Sequence, residues 1–215
     1  MIGKKTPFLL LAAALVFSSC VGVATDIVIH RDGSGTIAME YRLSREFESL
    51  GKLDGNERWP PLPVGKADFE RTVARVEGLS LRSFTTKTTE QDVISQAKLD
   101  FTSLEALVRF LDASGQRATL TRDGGKNRLT LGFNGAPGTE PELLALVSAL
   151  MEGYSLNFSL TLPANAELHI LDGHGGVLTS PPVGIVSVQG TKAGFSSPMA
   201  DLLSSSQAVN LEILW

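Results

Sequence analysis

The sequence predicts an α+β fold. Antiparallel sheet or sheets carry amphipathic helices packed on one face, laid down as repeated helix-strand-strand units in a single domain over residues 26–215. Three observations predict it. Apolar and polar residues alternate over 36–43, 93–101 and 154–162, the period of a strand with one buried face. Apolar residues at helical spacing fill the segments before Gly78, Gly115 and Gly153, and glycine is the residue that closes a helix in a left-handed turn. The junctions Val76-Glu77-Gly78-Leu79-Ser80-Leu81 and Met151-Glu152-Gly153-Tyr154-Ser155-Leu156 also match in pattern. Either an internal duplication or a shared helix-to-strand geometry accounts for that match.

Taken in order, the chain opens on KKTPFLLLAAALVFSSC, residues 4–20. Two lysines precede an apolar run over 7–17, which small residues then end, the layout of a secretory signal peptide. Eleven helical residues reach roughly 16 Å at 1.5 Å per residue, against a hydrocarbon core of about 30 Å, so the run is too short to span a bilayer. Phe17-Ser18-Ser19-Cys20 resembles the lipobox of bacterial lipoproteins, with phenylalanine where leucine is usual. The resemblance implies cleavage before Cys20 and attachment there of acyl chains such as palmitate. Residues 1–19 are then the signal and 20–25 a short tether. The alternative is ordinary cleavage after Ala24, with Gly22 and Ala24 as the small pair, which would discard Cys20. Cys20 is the one cysteine of the chain, so an exported form has no disulfide framework.

Residues 26–43 read as a hairpin turning at Arg31-Asp32-Gly33-Ser34-Gly35, with Ile37, Met39, Tyr41 and Leu43 on one face. A short helix follows Ser44 and stops at Gly51. The segment 52–65 is irregular, because Trp59-Pro60-Pro61-Leu62-Pro63 excludes helix. Those residues make either a recognition element or a lid folded over the core. Next come a helix over 68–77 burying Phe69, Val73 and Val76, and strands over 79–87 and 93–101. Thr102 and Glu105 form a capping box for a helix burying Leu104, Leu107, Val108 and Leu111. A hairpin spans 117–133 around Asp123-Gly124-Gly125-Lys126-Asn127. Thr139 and Glu142 cap the helix 140–152, and Leu156, Phe158, Leu160 and Leu162 share one strand face. Beyond 164, short strands are expected at 167–171 and 183–188, then a brief helix from Ser197-Pro198 and a last strand with Val209, Leu211, Ile213 and Trp215 on one side. Leu107, Leu144, Val147, Phe158 and Ile213 are expected in the core.

Charge narrows the partners. The net charge is −4, and loss of the signal removes Lys4 and Lys5 but no acid, giving −6. Such a body has no electrostatic footprint for nucleic acid and no basic patch for anionic lipid. Membrane attachment therefore rests on the acyl chains, each buried CH₂ adding about 0.8 kcal/mol.

Catalytic signals are thin. His169, Asp172 and His174 in HILDGHGG are the nearest approach to a metal-ligand set, with His30 too distant in sequence to join except through the fold. The competing reading puts His169 on the polar face of a strand and Asp172-Gly173 in a turn. No Gly-x-Ser-x-Gly elbow occurs, Cys20 is committed to lipid, and no cofactor motif appears. The order of features (lipobox, Asp-Gly hairpin, alternating body) is similar to LppM-like bacterial lipoproteins over about residues 26–162. That resemblance implies lipid or glycolipid binding. The expected function is thus a non-catalytic, extracytoplasmic lipoprotein, on an outer membrane, in the periplasm or at the cell surface, that binds an amphiphile or a protein partner. The alternatives are an envelope assembly factor with a solid core and, more remotely, a metal-dependent hydrolase using His169 and His174.

Overall fold

The computed structural model describes residues 21–45, 65–112, 117–133, 145, 148–149, 151–205 and 207–215. The first hairpin is β1 (Val21–Ile29) and β2 (Gly35–Ser44), followed by α1 (Lys66–Arg75), β3 (Leu79–Thr88), β4 (Asp92–Phe101) and α2 (Leu104–Leu111). Then come β5 (Ala118–Asp123), β6 (Lys126–Phe133), β7 (Ser155–Thr161), β8 (Glu167–Leu171) and β9 (Val177–Leu178). The chain closes through β10 (Ile185–Gln189), β11 (Lys192–Pro198), α3 (Met199–Ser204) and β12 (Val209–Leu214).

These strands form two sheets. A seven-stranded sheet has the order β10-β11-β7-β1-β2-β4-β3, and a five-stranded sheet the order β5-β6-β12-β8-β9. The expectation of an α+β fold built from helix-strand-strand units is overturned: the molecule is mostly β, with a few short helices. The physical reason lies in what covers each apolar face. Ile27, Ile37, Leu99 and Leu160 of the larger sheet share one buried cluster with Leu129, Leu131 and Ile213 of the smaller. The sheets thus bury each other, and the helices fill in at the margins. Phe133 of β6 makes the contact explicit, its ring centroid 5.7 Å from that of Phe158 and 4.9 Å from that of Phe195 across the gap.

The repeat fails for a related reason. Hairpin β3–β4 joins the larger sheet and hairpin β5–β6 the smaller, so successive units of similar pattern go to different places. Nor is the larger sheet purely antiparallel, since β1 runs parallel to β7 from Val21 to Val28. Residues 21–25, expected in a tether, already belong to β1. The N-cap of α2 is Ser103 rather than Thr102: its side chain accepts from the Ala106 N–H, while the Thr102 N–H donates to the Gly78 carbonyl. The expected helices over 45–50 and 140–152 lie largely outside the described residues. Among those residues no helix is long and apolar enough to cross a membrane.

Several local readings hold. Phe69 and Val76 are buried by α1 and its exit, with Phe69 set between Tyr41 and Phe84 at centroid distances of 6.1 and 5.5 Å. Leu107, Phe158 and Ile213 are core residues; Leu144 and Val147 lie outside the described residues. Gly35 begins β2 rather than ending the turn. A Cβ there would meet the Val28 carbonyl oxygen at 2.0 Å and the Phe101 ring at 2.4 Å, so only glycine lets that ring close over the hairpin.

Candidate functional site

The inward faces of both sheets are spent on the core, which leaves the outward faces for function. On the larger sheet the strand registers bring one row of residues into line across six strands. Ser187 of β10 lies beside Gly194, Gly194 beside Ser159, Ser159 beside Asp26, Asp26 beside Ala38 and Ala38 beside Lys98. The neighbouring row runs Ile185, Ser196, Asn157, Ala24, Glu40 and Gln96 by the same pairings. Over β10, β11, β7 and β1 these rows are mostly short side chains (Ser187, Gly194, Ser196, Ser159, Asn157, Asp26 and Ala24), which leave a trough flanked by the longer Glu40, Gln96 and Lys98. It holds two open clefts, of about 270 Å³ over β10, β11, β7 and β1 and about 360 Å³ over β1, β2 and β4, which share Ala24 and Asp26.

The trough is a hydrogen-bonding surface. Ser159 donates its hydroxyl to the Asp26 carboxylate at the centre. At one side the Gln96 amide donates to Glu40 over 2.7 Å, and Arg42 sits 3.7 Å from the same carboxylate. Hydroxyls, two amides, two carboxylates and the Lys98 ammonium together offer donors and acceptors to a polar partner.

His169, Asp172 and His174 do not come together as a ligand set. His169 Nδ1 lies 3.2 Å from Glu212, its register partner on β12, and the Arg128 guanidinium donates to the other oxygen of Glu212. Burial pushes the Glu212 carboxyl up, but the hydrogen bonds with His169 and Arg128 outweigh it and hold the carboxyl below its usual range. Asp172 accepts from the backbone N–H groups of His174 at 2.8 Å and Gly176 at 2.7 Å, which closes the turn and lowers its carboxyl pKa, the Gly176 bond contributing most. Both arrangements are structural: one ties three strands together and the other shapes a turn. Among the described residues no group of three metal-ligating side chains converges.

His30 stands instead at a separate surface cleft of about 310 Å³, lined also by Arg31, Arg122, Asn127 and Trp215. There Asp32 accepts from the hydroxyl and backbone N–H of Ser34, which keeps its carboxyl below the ordinary range. Cys20, Trp59, Pro60, Pro61 and Pro63 lie outside the described residues. The sequence shows little of the trough, because alternation marks the apolar side of each strand while only the strand register aligns the outward side chains. Its one legible signal is small size, at Ala24, Ala38, Ser159, Gly194 and Ser196, in outward positions where charged residues are common. Comparisons with family models, with curated proteins and with solved structures find no match for this chain.

Proposed function

We propose that the chain is a lipid-anchored extracytoplasmic lipoprotein whose β body is a non-catalytic binding module, and that the outer trough of its larger sheet receives a protein partner of the cell envelope. The observation that carries the site is the in-register row Ser187–Gly194–Ser159–Asp26–Ala38–Lys98, small or short-chained over five strands and closed by the Lys98 ammonium on the sixth. The anchor is supported by the run over 7–17 and by Phe17-Ser18-Ser19-Cys20. A surface partner is favoured over an enclosed amphiphile because the apolar side chains between the sheets pack on one another, as at Phe133, Phe158 and Phe195. The clefts along the trough open outward and have mixed polar linings.

Two measurements test the two halves. Detergent phase partitioning of the full chain should place wild type with the detergent, while Cys20→Ser becomes water-soluble or persists as a longer precursor. A variant that partitions like wild type overturns the anchor. For the trough, a photoreactive amino acid at Ala38 should give a discrete protein adduct in cells, and the same probe at Thr119, exposed on β5, should not. Equal labelling from both positions, or none from Ala38, overturns the trough as the partner site.

A further inference from the structure

The strand β10 forms one edge of the larger sheet, and its chemistry differs from that of the other edges among the described residues. The opposite edge, β3, carries Arg82 and Lys87 and a register shift between Leu81 and Ser83. In the smaller sheet, β5 carries Arg122 and Asp123, and β9 is two residues long. Charges, irregular register and brevity are the usual ways a sheet blocks its own extension. Strand β10 uses none of them. Its five residues, Ile-Val-Ser-Val-Gln, are uncharged and pair without a shift along β11. Ile185 is 71% exposed and Val188 43% exposed. By the alternation of the strand those two side chains stand on opposite faces, so a ligand in the trough would cover only Ile185. An added strand covers both.

We propose that β10 pairs with β10 of a second copy of this chain, antiparallel about a two-fold axis at Ser187, joining the two larger sheets into one. The register then sets Ser187 against Ser187, Val186 against Val188 and Ile185 against Gln189. Two-fold pairing opposes a strand to its own sequence, so a net charge on it would meet the same charge on the partner. The neutrality of β10 fits that requirement, where β3, with two cations, does not. On the inner face the Val188–Val186 contact extends the small cluster in which Val186 already packs with Phe195 and Leu211. On the outer face the rows of the trough run through the axis. The chain itself limits the ladder. Pro181 and Pro182 precede the strand, and Gly184 (φ 82°) approaches the Ser196 carbonyl so closely that a Cβ would sit 2.6 Å from it. A five-residue ladder buries less than the roughly 1,200 Å² of a stable interface, so the dimer is weak and reversible.

The pairing needs neither the lipid anchor nor the envelope partner; because Ser187 also belongs to the trough row, the test uses the purified full-length chain, with no envelope partner present. In an antiparallel pair, directly opposed residues have Cα atoms about 4.5–5.5 Å apart, within disulfide reach. Full-length Ser187→Cys treated with copper phenanthroline should give a disulfide-linked species of twice the chain mass. Wild type, with Cys20 alone, and Thr119→Cys should give none. Ser187→Lys, which opposes two ammonium groups at an exposed position, should lose the concentration-dependent rise in mass that wild type shows in detergent by sedimentation, with its melting temperature unchanged. A Ser187→Cys protein that melts normally and stays uncrosslinked overturns the proposal.

Discussion

Glu212 shows how one residue's surroundings decide between site and scaffold. Its side chain is 11% exposed and sits between Arg128 on β6 and His169 on β8, so three strands of the smaller sheet meet at one carboxylate. A buried charge is tolerable only when its partners are kept. Glu212→Gln removes the charge while leaving the shape, and should cost about 1.5–3 kcal/mol at neutral pH, the worth of hydrogen bonds to an ionised group. The pH dependence follows from the sign of the shift. The carboxyl is held below its ordinary value of 4.5, so its stabilisation is complete above that value and is lost as pH falls through the lower, folded-state value. Urea titrations at stepped pH should therefore show the gap between wild type and Glu212→Gln constant at neutral pH and narrowing in acid. A gap that widens on acidification would refute the assignment.

Elements here are held by what they face more than by their own propensity. The hairpin β5–β6 closes on Gly124 and Gly125 with φ of 57° and 84°, the sign pattern of a type I′ turn, whose twist matches that of its strands. Its far end delivers Phe133 to the seam between the sheets, against Phe158 of β7 and Phe195 of β11. Strand β7 is thereby fixed from the opposite layer as well as from its neighbours β1 and β11. Phe158→Ala should cost about 3–5 kcal/mol, the range for truncating a buried aromatic side chain, read as a fall in denaturation midpoint at unchanged slope. A loss under about 1 kcal/mol would mean that the seam closes over the cavity or that the ring contributes little.

For the whole molecule, one shared cluster joins both sheets and two of the helices, so unfolding should be a single cooperative transition. Strand β1 lies at the centre of the larger sheet, and its parallel neighbour β7 arrives more than a hundred residues later. Pairings of such separation are slow to form, because loop closure must precede any gain from contact. Native-state hydrogen exchange should find the slowest amides in β7, β1, β2 and β4, and fast exchange in β9 and at the ends of β3. Protection confined to one sheet would show that the two layers open separately.

The sequence by itself determined most of the pieces. Alternation at Val93, Ser95, Ala97, Leu99 and Phe101 placed a strand and its buried face, and Asp-Gly or Gly-Gly pairs placed the turns, because strand period and turn conformation are local properties. The expected segment 167–171 coincides with β8. Strand β11, with Ala193, Phe195 and Ser197 inward between small polar residues, was too weakly patterned to announce itself. Tertiary structure alone decided the assembly: which sheet takes each hairpin, that β1 meets β7 in parallel, and that sheet covers sheet where helices were expected. Period-two alternation marks that a face is buried, not what buries it. The candidate site was illegible for the same reason. Asp26, Ala38, Lys98, Ser159, Gly194 and Ser187 are scattered over more than 150 positions, and only the strand order sets them in one row.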